Sequence, residues 1–334
     1  MRWRHPPAVV AAPPPAPVDA ERLLRRLEWR VLRRLDGALH GDYRGLLLGP
    51  GDDLADLREY QPHDDVRHID WNVTARLGVP HVREYHEDRD LTAFFLVDLS
   101  PSADVGARTS RASVALEFVA LMARLLTRRG NRVGALRYRR SVDAIVPAGG
   151  GRRHVLRLIH TLSQPSAAAR AAPARAGTRL HELLEAAQPL LRRRSQVFVL
   201  SDFLTEPGWE KPLARLAQRH EVVAVRLTDP LDSELPDLGL LLVGDAETGE
   251  QILIDTGDRG LRRRLASAVE EREAALQAAF GSAGVDALEL STDDDVVEAL
   301  THFIRLRRRI GARVGGSAPG GLATAPAPRG GAPA

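Results

Sequence analysis

Continuous apolar runs alternate with amphipathic segments through most of the chain. Three runs break abruptly into polar residues: LTAFFLVDLS (91–100), SQVFVLSDF (195–203) and EVVAVRLTD (221–229). Strands that are buried on both faces of a parallel sheet have this pattern. After the first run, apolar residues recur at helical spacing, as at Val114, Phe118 and Met122. The alternation predicts an α/β fold, a doubly wound and mostly parallel sheet with helices on both faces.

The other predicted elements continue this order. Helices are predicted at about 152–163, 178–192, 258–280 and 293–309, and strands at about 132–138, 142–146 and 285–291. The segment LGLLLVGDAETGEQILID (238–255) predicts a hairpin. Ahead of the sheet, an N-terminal helix is predicted from Asp19, its N-cap, to about Leu35. An irregular segment with a strand-like stretch, HVREYHE (81–87), follows it up to residue 90.

The predicted elements divide the chain into four parts. They are a disordered tail (1–17), the N-terminal helix with the irregular segment (18–90), a doubly wound α/β domain (91–310) and a Gly/Ala/Pro-rich disordered tail (315–334). The prolines near the N-terminus would break the apolar helix of a signal peptide. No apolar run approaches the roughly 18 residues that span a bilayer. The sequence therefore predicts a cytoplasmic protein without a membrane span.

Composition excludes several kinds of chemistry. The 47 basic and 44 acidic residues nearly balance, and the Arg runs fall near helix ends, so nucleic-acid binding is not predicted. Cysteine is absent, which excludes disulfides, thiolate metal sites and cysteine nucleophiles. The single lysine, Lys211, does not stand in a phosphate-binding loop, and the motifs G-x-S-x-G, H-E-x-x-H and G-x-G-x-x-G do not occur.

Oxygen-bearing side chains stand where predicted strands end or a helix begins. They are Asp98, Ser100, Ser102, Thr178 and Asp202. Ligands of doubly wound sheets bind at the carboxyl ends of the strands, so these side chains are predicted to converge there. Ser201 also lies at this edge, but strand alternation points its side chain away from that of Asp202, and we expect a structural role for it.

Carboxylates and hydroxyls, without thiol or imidazole, are hard ligands that suit Mg²⁺ or Mn²⁺. Because only two carboxylates would offset the dication, the metal could accept another anionic oxygen, and a partner protein's carboxylate is the natural source. The alternative for the same residues is a capped turn, with Thr178 as a helix N-cap.

The D-x-S-x-S pattern at 98–102, the Gly177–Thr178 pair and the distal Asp202 resemble the metal-ion-dependent adhesion site (MIDAS) of von Willebrand factor type A (vWA) domains. The resemblance implies that the two serines and the threonine contact the metal through their hydroxyls, directly or by water. It also implies that the two acids bind the metal directly or support its direct ligands.

A second resemblance is carried by REYQPHDDVRHIDWNVTAR (58–76), which is similar to the signature of the bacterial "domain of unknown function fifty-eight" family. Its members join such a segment to an A-type domain, and the resemblance extends over about residues 20–310. It implies a partnership with a MoxR-type AAA+ ATPase, in which the protein is an adaptor or co-chaperone that captures or presents a client.

The signature segment contains polar and aromatic residues with three possible roles. The residues are Tyr60, Asp64, Asp65, Arg67, Asp70, Trp71 and Arg76. They could form an ion-paired brace with Trp71 as its apolar anchor, a surface that docks a partner, or an acid–base site. The brace satisfies an irregular backbone most simply.

The leading hypothesis is a non-enzymatic, divalent-metal-dependent module that binds a client's acidic side chain and works with the ATPase. One alternative is a metal-dependent phosphoesterase-type hydrolase, which would need a base such as His68 at the metal. Another is a scaffold that binds no metal.

Overall fold

The computed structural model describes residues 20–21, 23–24, 56–61, 69–84, 91–104, 109–165, 177–232, 237–244, 250–313 and 322–323. The predictions for Asp64, Asp65 and Arg67 lie outside these residues. So do those for His68, for most of the N-terminal helix and for nearly all of both tails. Residues 20–21 and 23–24 are helical, as predicted, and Leu24 is fully buried.

The described elements follow the predicted order. The strands are β1 (Asp56–Glu59), β2 (His81–Glu84), β3 (Thr92–Asp98), β4 (Arg132–Tyr138), β5 (Val142–Gly149), β6 (Gln196–Ser201), β7 (Glu221–Thr228), β8 (Leu240–Gly244), β9 (Gln251–Asp255), β10 (Asp286–Ser291) and β11 (Leu322–Ala323). The helices are α1 (Trp71–Leu77), α2 (Arg111–Arg128), α3 (Gly151–Ser163), α4 (Leu180–Ala187), α5 (Glu210–Arg219), α6 (Arg259–Ala283) and α7 (Val296–Arg313). Short 3₁₀ turns lie at Pro101–Asp104 and Pro230–Asp232.

The central sheet has the strand order β11-β10-β7-β6-β3-β4-β5. Its strands pair in parallel except for β5, which is antiparallel to β4. The order reverses between β3 and β6, which are neighbours although far apart in sequence. This arrangement confirms the predicted doubly wound, mostly parallel α/β fold and places the predicted ligand edge at the ends of these two strands.

Both faces of the sheet are covered, because its central strands are apolar on both sides. In β3, Phe95 packs with α2, α3 and α7, whereas Leu96 packs with α4, α5 and α6. Phe198 of β6 stacks on Phe95 at 5.4 Å and meets Phe118 of α2 edge-on at 5.7 Å between ring centroids. Burial on two faces explains why these strands lack polar alternation.

Two smaller antiparallel pairs lie outside this sheet. The predicted hairpin is confirmed as β8 and β9, and the predicted strand-like stretch forms β2, paired with β1. Within the segment predicted to be irregular, α1 forms a short helix. Its N-cap Asp70 accepts the backbone N–H groups of Asn72 and Val73, and Gly78 ends it with a φ of 73°.

Two differences from the sequence predictions involve residues of the candidate site and of the central sheet. Helix α4 begins at Leu180 instead of near 178, because the backbone of Thr178 is paired with Thr205. In the predicted C-terminal tail, Leu322 and Ala323 pair in parallel with β10 as an edge strand. Within the described ranges, no helix is both long enough and apolar enough to cross a membrane.

Candidate metal centre

The ends of β3 and β6 bring Asp98 and Ser201 together. Val97 is in register with Leu200 in the parallel pair, so the next residue of each strand lies side by side at the edge. The Ser201 hydroxyl donates to Asp98 Oδ2 at 2.8 Å, and the Ser100 backbone N–H donates to Asp98 Oδ1 at 3.0 Å. Ser201 therefore supports Asp98 through a contact that follows from strand register and that alternation along β6 alone does not reveal.

The turn after β3 aligns the two predicted serine ligands. The 3₁₀ turn at Pro101–Asp104 curls the chain, and the Ala103 N–H donates to the Ser100 carbonyl at 2.9 Å. The hydroxyls of Ser100 and Ser102 consequently lie 3.1 Å apart. A D-x-S-x-S segment in this turn presents one carboxylate and two hydroxyls on the same side of the loop.

Asp202 follows β6 directly and is 7% exposed. Its Oδ1 accepts the Leu204 N–H at 2.9 Å. Its Oδ2 is buried without a hydrogen-bond partner, which is costly for a carboxylate oxygen. A buried acceptor of this kind fits a cation that is bound by the native protein.

The loop after β6 is held in place by aromatic packing. Phe203 has a φ of 57°, uncommon for a residue with a side chain. Its ring packs against Trp209 at 5.3 Å and Phe280 at 5.0 Å, and its N–H donates to the Ser201 hydroxyl at 3.0 Å. These contacts keep the backbone in this conformation and so position Asp202.

Thr178 is brought to the same loop by backbone pairing. Its carbonyl accepts the Glu206 N–H at 2.8 Å and the Thr205 hydroxyl at 2.6 Å. The Thr205 hydroxyl also accepts the Leu180 N–H at 3.0 Å and so satisfies the start of α4. Thr178 is 2% exposed and is anchored beside residues that follow Asp202 by only a few positions.

The two carboxyls act on each other in a dry environment. Burial and, to a smaller extent, the charge of Asp202 raise the pKa of Asp98 to about 7, although the hydrogen bonds from Ser201 and Ser100 lower it. Burial likewise raises the pKa of Asp202, partly offset by the Leu204 amide, the Ser102 hydroxyl and Arg111. Two ionised carboxylates at this place are therefore unfavourable without a compensating cation.

Arg111 is a site residue that the sequence analysis did not identify. It is 3% exposed, donates from Nη1 to the Ser102 carbonyl at 3.0 Å, and forms an ion pair with Asp232. Arginine in the first turn of a helix opposes the helix dipole. That mismatch at the start of α2 was the available signal that Arg111 has tertiary partners.

The described residues Tyr60 and Asp70 of the signature segment are hydrogen-bonded to the stretch at Pro80–His81. Asp70 caps α1, and its own N–H donates to the His81 carbonyl at 2.8 Å. The Tyr60 N–H donates to the Pro80 carbonyl at 2.8 Å. Trp71, however, is 68% exposed, so the prediction that it is an apolar anchor is wrong. Arg76 is also exposed, in the last turn of α1.

The donor set fits a hard dication. Among the described residues, no group of three or more His, Cys, Asp or Glu side chains is placed to hold a metal. A site here would consequently depend on hydroxyls beside the two carboxyls. Neutral oxygen ligands of this kind, supplemented by water, are compatible with Mg²⁺.

Comparison with known proteins identifies the family of this chain. The family model "Protein of unknown function DUF58" matches residues 56–275. The uncharacterized protein Rv1480 of Mycobacterium tuberculosis is 38% identical over 314 residues, which cover 91% of this chain and 95% of that protein. The uncharacterized protein Mb1516 of Mycobacterium bovis has the same identity and coverage.

Solved structures with a similar arrangement share little sequence. The conserved hypothetical protein BatB from Bacteroides thetaiotaomicron is 14% identical, with a TM-score of 0.42 over 66% of this chain and 99% of that one. The SpRpn10 VWA domain is 13% identical, with a TM-score of 0.37 over 64% of this chain and 95% of that one. On the family match and the mycobacterial relatives, the chain belongs to the DUF58 family.

Proposed function

We propose that this DUF58 protein is a non-enzymatic protein-interaction module whose binding depends on a divalent metal. Asp98, Ser100, Ser102, Thr178 and Asp202 would hold Mg²⁺, or Mn²⁺ in its place. The observation that carries the proposal is the buried pair of carboxyls, Asp98 and Asp202, with Asp202 Oδ2 left without a partner. A dication relieves both the repulsion and the unsatisfied oxygen.

The proposed ligand on the protein partner is a carboxylate. Two acidic residues supply at most two negative charges, and hydroxyls supply none, so a bound Mg²⁺ would attract a further anionic oxygen. Arg111 donates a hydrogen bond to the Ser102 carbonyl, and its positive charge favours negative charge at the same edge. The module would thus recognise an acidic side chain of a client.

The contacts of the Asp98 and Asp202 carboxyls support an interaction module over a hydrolase. In the part of the chain that the structure describes, those contacts come from hydroxyls, backbone amides and Arg111. Metal-assisted hydrolysis usually places a base beside the activated water. An Arg that is ion-paired with Asp232 cannot take this role.

The functional partner in this proposal is a MoxR-type AAA+ ATPase, met in the cytoplasm. Membership in the DUF58 family supports this part of the proposal, because the sequence resemblance implies such partners. The protein would present a metal-bound client to the ATPase as an adaptor or co-chaperone.

Calorimetric titration of the metal-free chain with Mg²⁺ and Mn²⁺ tests the metal site. The expected result is saturable heat for the wild type and none for Asp98→Ala, with both proteins folded by circular dichroism. Asp293→Asn removes an exposed carboxylate outside the site and serves as the control. If the wild type and Asp98→Ala gave equal heats, the proposed metal site would be wrong, and the alternative of a scaffold that binds no metal would remain.

A pull-down with a MoxR-type ATPase from the same organism, with and without chelator, tests the partnership. In Mg²⁺ the wild type should retain the ATPase or a client. In chelator the wild type should lose the client, and Ser100→Ala should lose it even in Mg²⁺. Retention of the same proteins by Ser100→Ala would contradict metal-dependent binding.

A further inference from the structure

A cavity of about 200 Å³ adjoins the candidate metal centre. It lies between the loop after β6, the ends of β7 and β10, and one side of α6. The lining residues used below are Asp202, Arg226, Asp229, Asp232, Glu273 and Glu289, with Val269 and Arg272 on α6. Because Asp202 belongs to both the cavity and the candidate metal centre, one ligand could reach both. We call this space the Glu289 cavity.

The size of the Glu289 cavity suits one side chain. Pockets that bury whole small ligands are commonly about 300–1,000 Å³, and this one is smaller. A long side chain adjacent to a metal-bound carboxylate in the same peptide would fill it. The volume of the cavity is therefore that of a small accessory pocket beside the metal centre.

Carboxylates outnumber cations in the cavity wall. Five acidic side chains line it, against the two guanidinium groups of Arg226 and Arg272. Asp232 forms an ion pair with Arg111, which is not one of the lining residues. Arg226 Nη1 donates to Glu273 Oε2 at 2.6 Å, and its Nη2 also pairs with Glu273. These pairs leave an excess of negative charge in the wall.

Of the three described carboxylates that pair with Arg111 or Arg226, Glu289 has the longest contact. Arg226 Nη1 is 3.5 Å from Glu289 Oε1, much farther than from Glu273. Its side chain is only 20% exposed. Burial raises the pKa of Glu289; Arg226 lowers it only in part, and Glu273 and Asp294 raise it further.

Two polar atoms of the lining residues are buried without partners. They are Asp202 Oδ2 and Arg226 Nε, in residues that are 7% and 8% exposed. Native proteins rarely leave such atoms unsatisfied. Of these two atoms only Asp202 Oδ2 is an acceptor that a cationic group could satisfy, because Arg226 Nε–H is itself a donor.

We infer that the Glu289 cavity accepts a cationic side chain, a guanidinium or ammonium group, from the same protein ligand whose carboxylate binds the metal. Glu289 is its principal hydrogen-bond acceptor. The client would then present an acidic and a basic residue close together. This inference rests on the proposed metal-dependent function and specifies its ligand.

Titration of the Mg²⁺-loaded full chain with capped peptides tests the inference. Each peptide contains one Asp and, one to three residues away, Arg, norleucine or Glu. At one spacing or more, the Arg peptide should bind at least about tenfold more tightly than the norleucine peptide, because a charge-assisted hydrogen bond forms. Glu289→Gln should reduce this ratio to near one, whereas Glu185→Gln, which removes an exposed carboxylate on α4, should preserve it.

A steric variant and a metal-free probe complete the test. Val269→Phe should narrow the cavity and lower the Arg preference without changing the heat of Mg²⁺ binding. In chelator, methylguanidinium should shift amide resonances of the cavity residues in the wild type, whereas the uncharged isostere methylurea should not.

The outcomes separate the two proposals. Absence of Mg²⁺ heat would refute the metal-dependent function, while the methylguanidinium experiment would still report on the cavity. Equal affinity for Arg and norleucine peptides, tighter binding of the Glu peptide or no peptide binding would overturn the inference. So would equal shifts with methylguanidinium and methylurea.

Discussion

Replacement of Asp98 by Asn should stabilise the metal-free protein at pH 8 and abolish its stabilisation by Mg²⁺. Asp98 is almost fully buried and faces the charge of Asp202, so its pKa is raised from 3.8 to about 7. At pH 8 the native protein carries an unfavourable buried carboxylate. Each unit of pKa shift corresponds to about 1.4 kcal/mol, so at pH 8 the raised pKa of Asp98 lowers the free energy of unfolding by roughly 4 kcal/mol. Weaker hydrogen bonding of Asn to Ser201 and Ser100 would offset about 1–2 kcal/mol.

The pH dependence follows from the direction of the pKa change. Because the folded pKa of Asp98 is above the unfolded one, the native state binds more protons between about pH 4 and 7. The free energy of unfolding of the metal-free wild type therefore falls as the pH rises through this range. At pH 4 Asp98 is protonated in the native state and only partly ionised in the unfolded state, so the effect of its charge on stability is small and its replacement by Asn should change stability little.

Urea unfolding in chelator and in Mg²⁺, at pH 4 and pH 8, measures these differences. Mg²⁺ at a hundred times its dissociation constant should stabilise the wild type by about 2.7 kcal/mol at pH 8, and Asp98→Asn by close to zero. Asp293→Asn, at an exposed site, should behave like the wild type. The reasoning would be refuted if Asp98→Asn lowered stability in chelator at pH 8, or if Mg²⁺ stabilised it as much as the wild type.

Three further substitutions test the packing of the fold by denaturant unfolding. Arg137→Met should cost about 3–5 kcal/mol, because Arg137 pairs with the buried Asp143 and donates to three carbonyls at the end of α3; adding Asp143→Leu should recover part of this, and a full loss in the double variant would contradict an ion-pair origin. Gly134→Ala should cost about 1–3 kcal/mol, since a Cβ there would lie 2.6 Å from the ring of Phe94; an unchanged midpoint would show that the ring moves freely. Trp71→Ala should change stability by less than about 0.5 kcal/mol, because its side chain is exposed; a larger loss would restore its predicted role as an anchor.

The strands and helices of the sheet were predictable because burial dictates local composition. Strands β3, β6 and β7 are apolar without alternation since both their faces are covered. Helix α2 is predicted by its 3.6-residue spacing and ends before Gly130, which has a φ of 87°. Alternation of these elements leads to a doubly wound sheet, and its switch point follows from general rules of chain connection.

The candidate site was predictable only as a set of residues at strand ends. The pattern D-x-S-x-S identifies the carboxylate and the hydroxyls of the turn after β3, but it does not show which atoms of other segments they contact. Strand register places the Ser201 hydroxyl on Asp98, a contact that alternation along one strand does not reveal. The helix start that buries Arg111 beneath Ser102 depends on packing between α2 and the turn at Pro230–Asp232.

The amino-acid sequence by itself thus determined the fold class, the family and the hard-oxygen character of the site, because these depend on local pattern and residue type. Tertiary structure alone decided that Trp71 is exposed, that Asp202 Oδ2 has no partner and that Glu289 lines a cavity beside it. Such properties arise from contacts between segments far apart in the chain. Register, burial and charge compensation are relations between neighbours in space, and a linear pattern does not contain them.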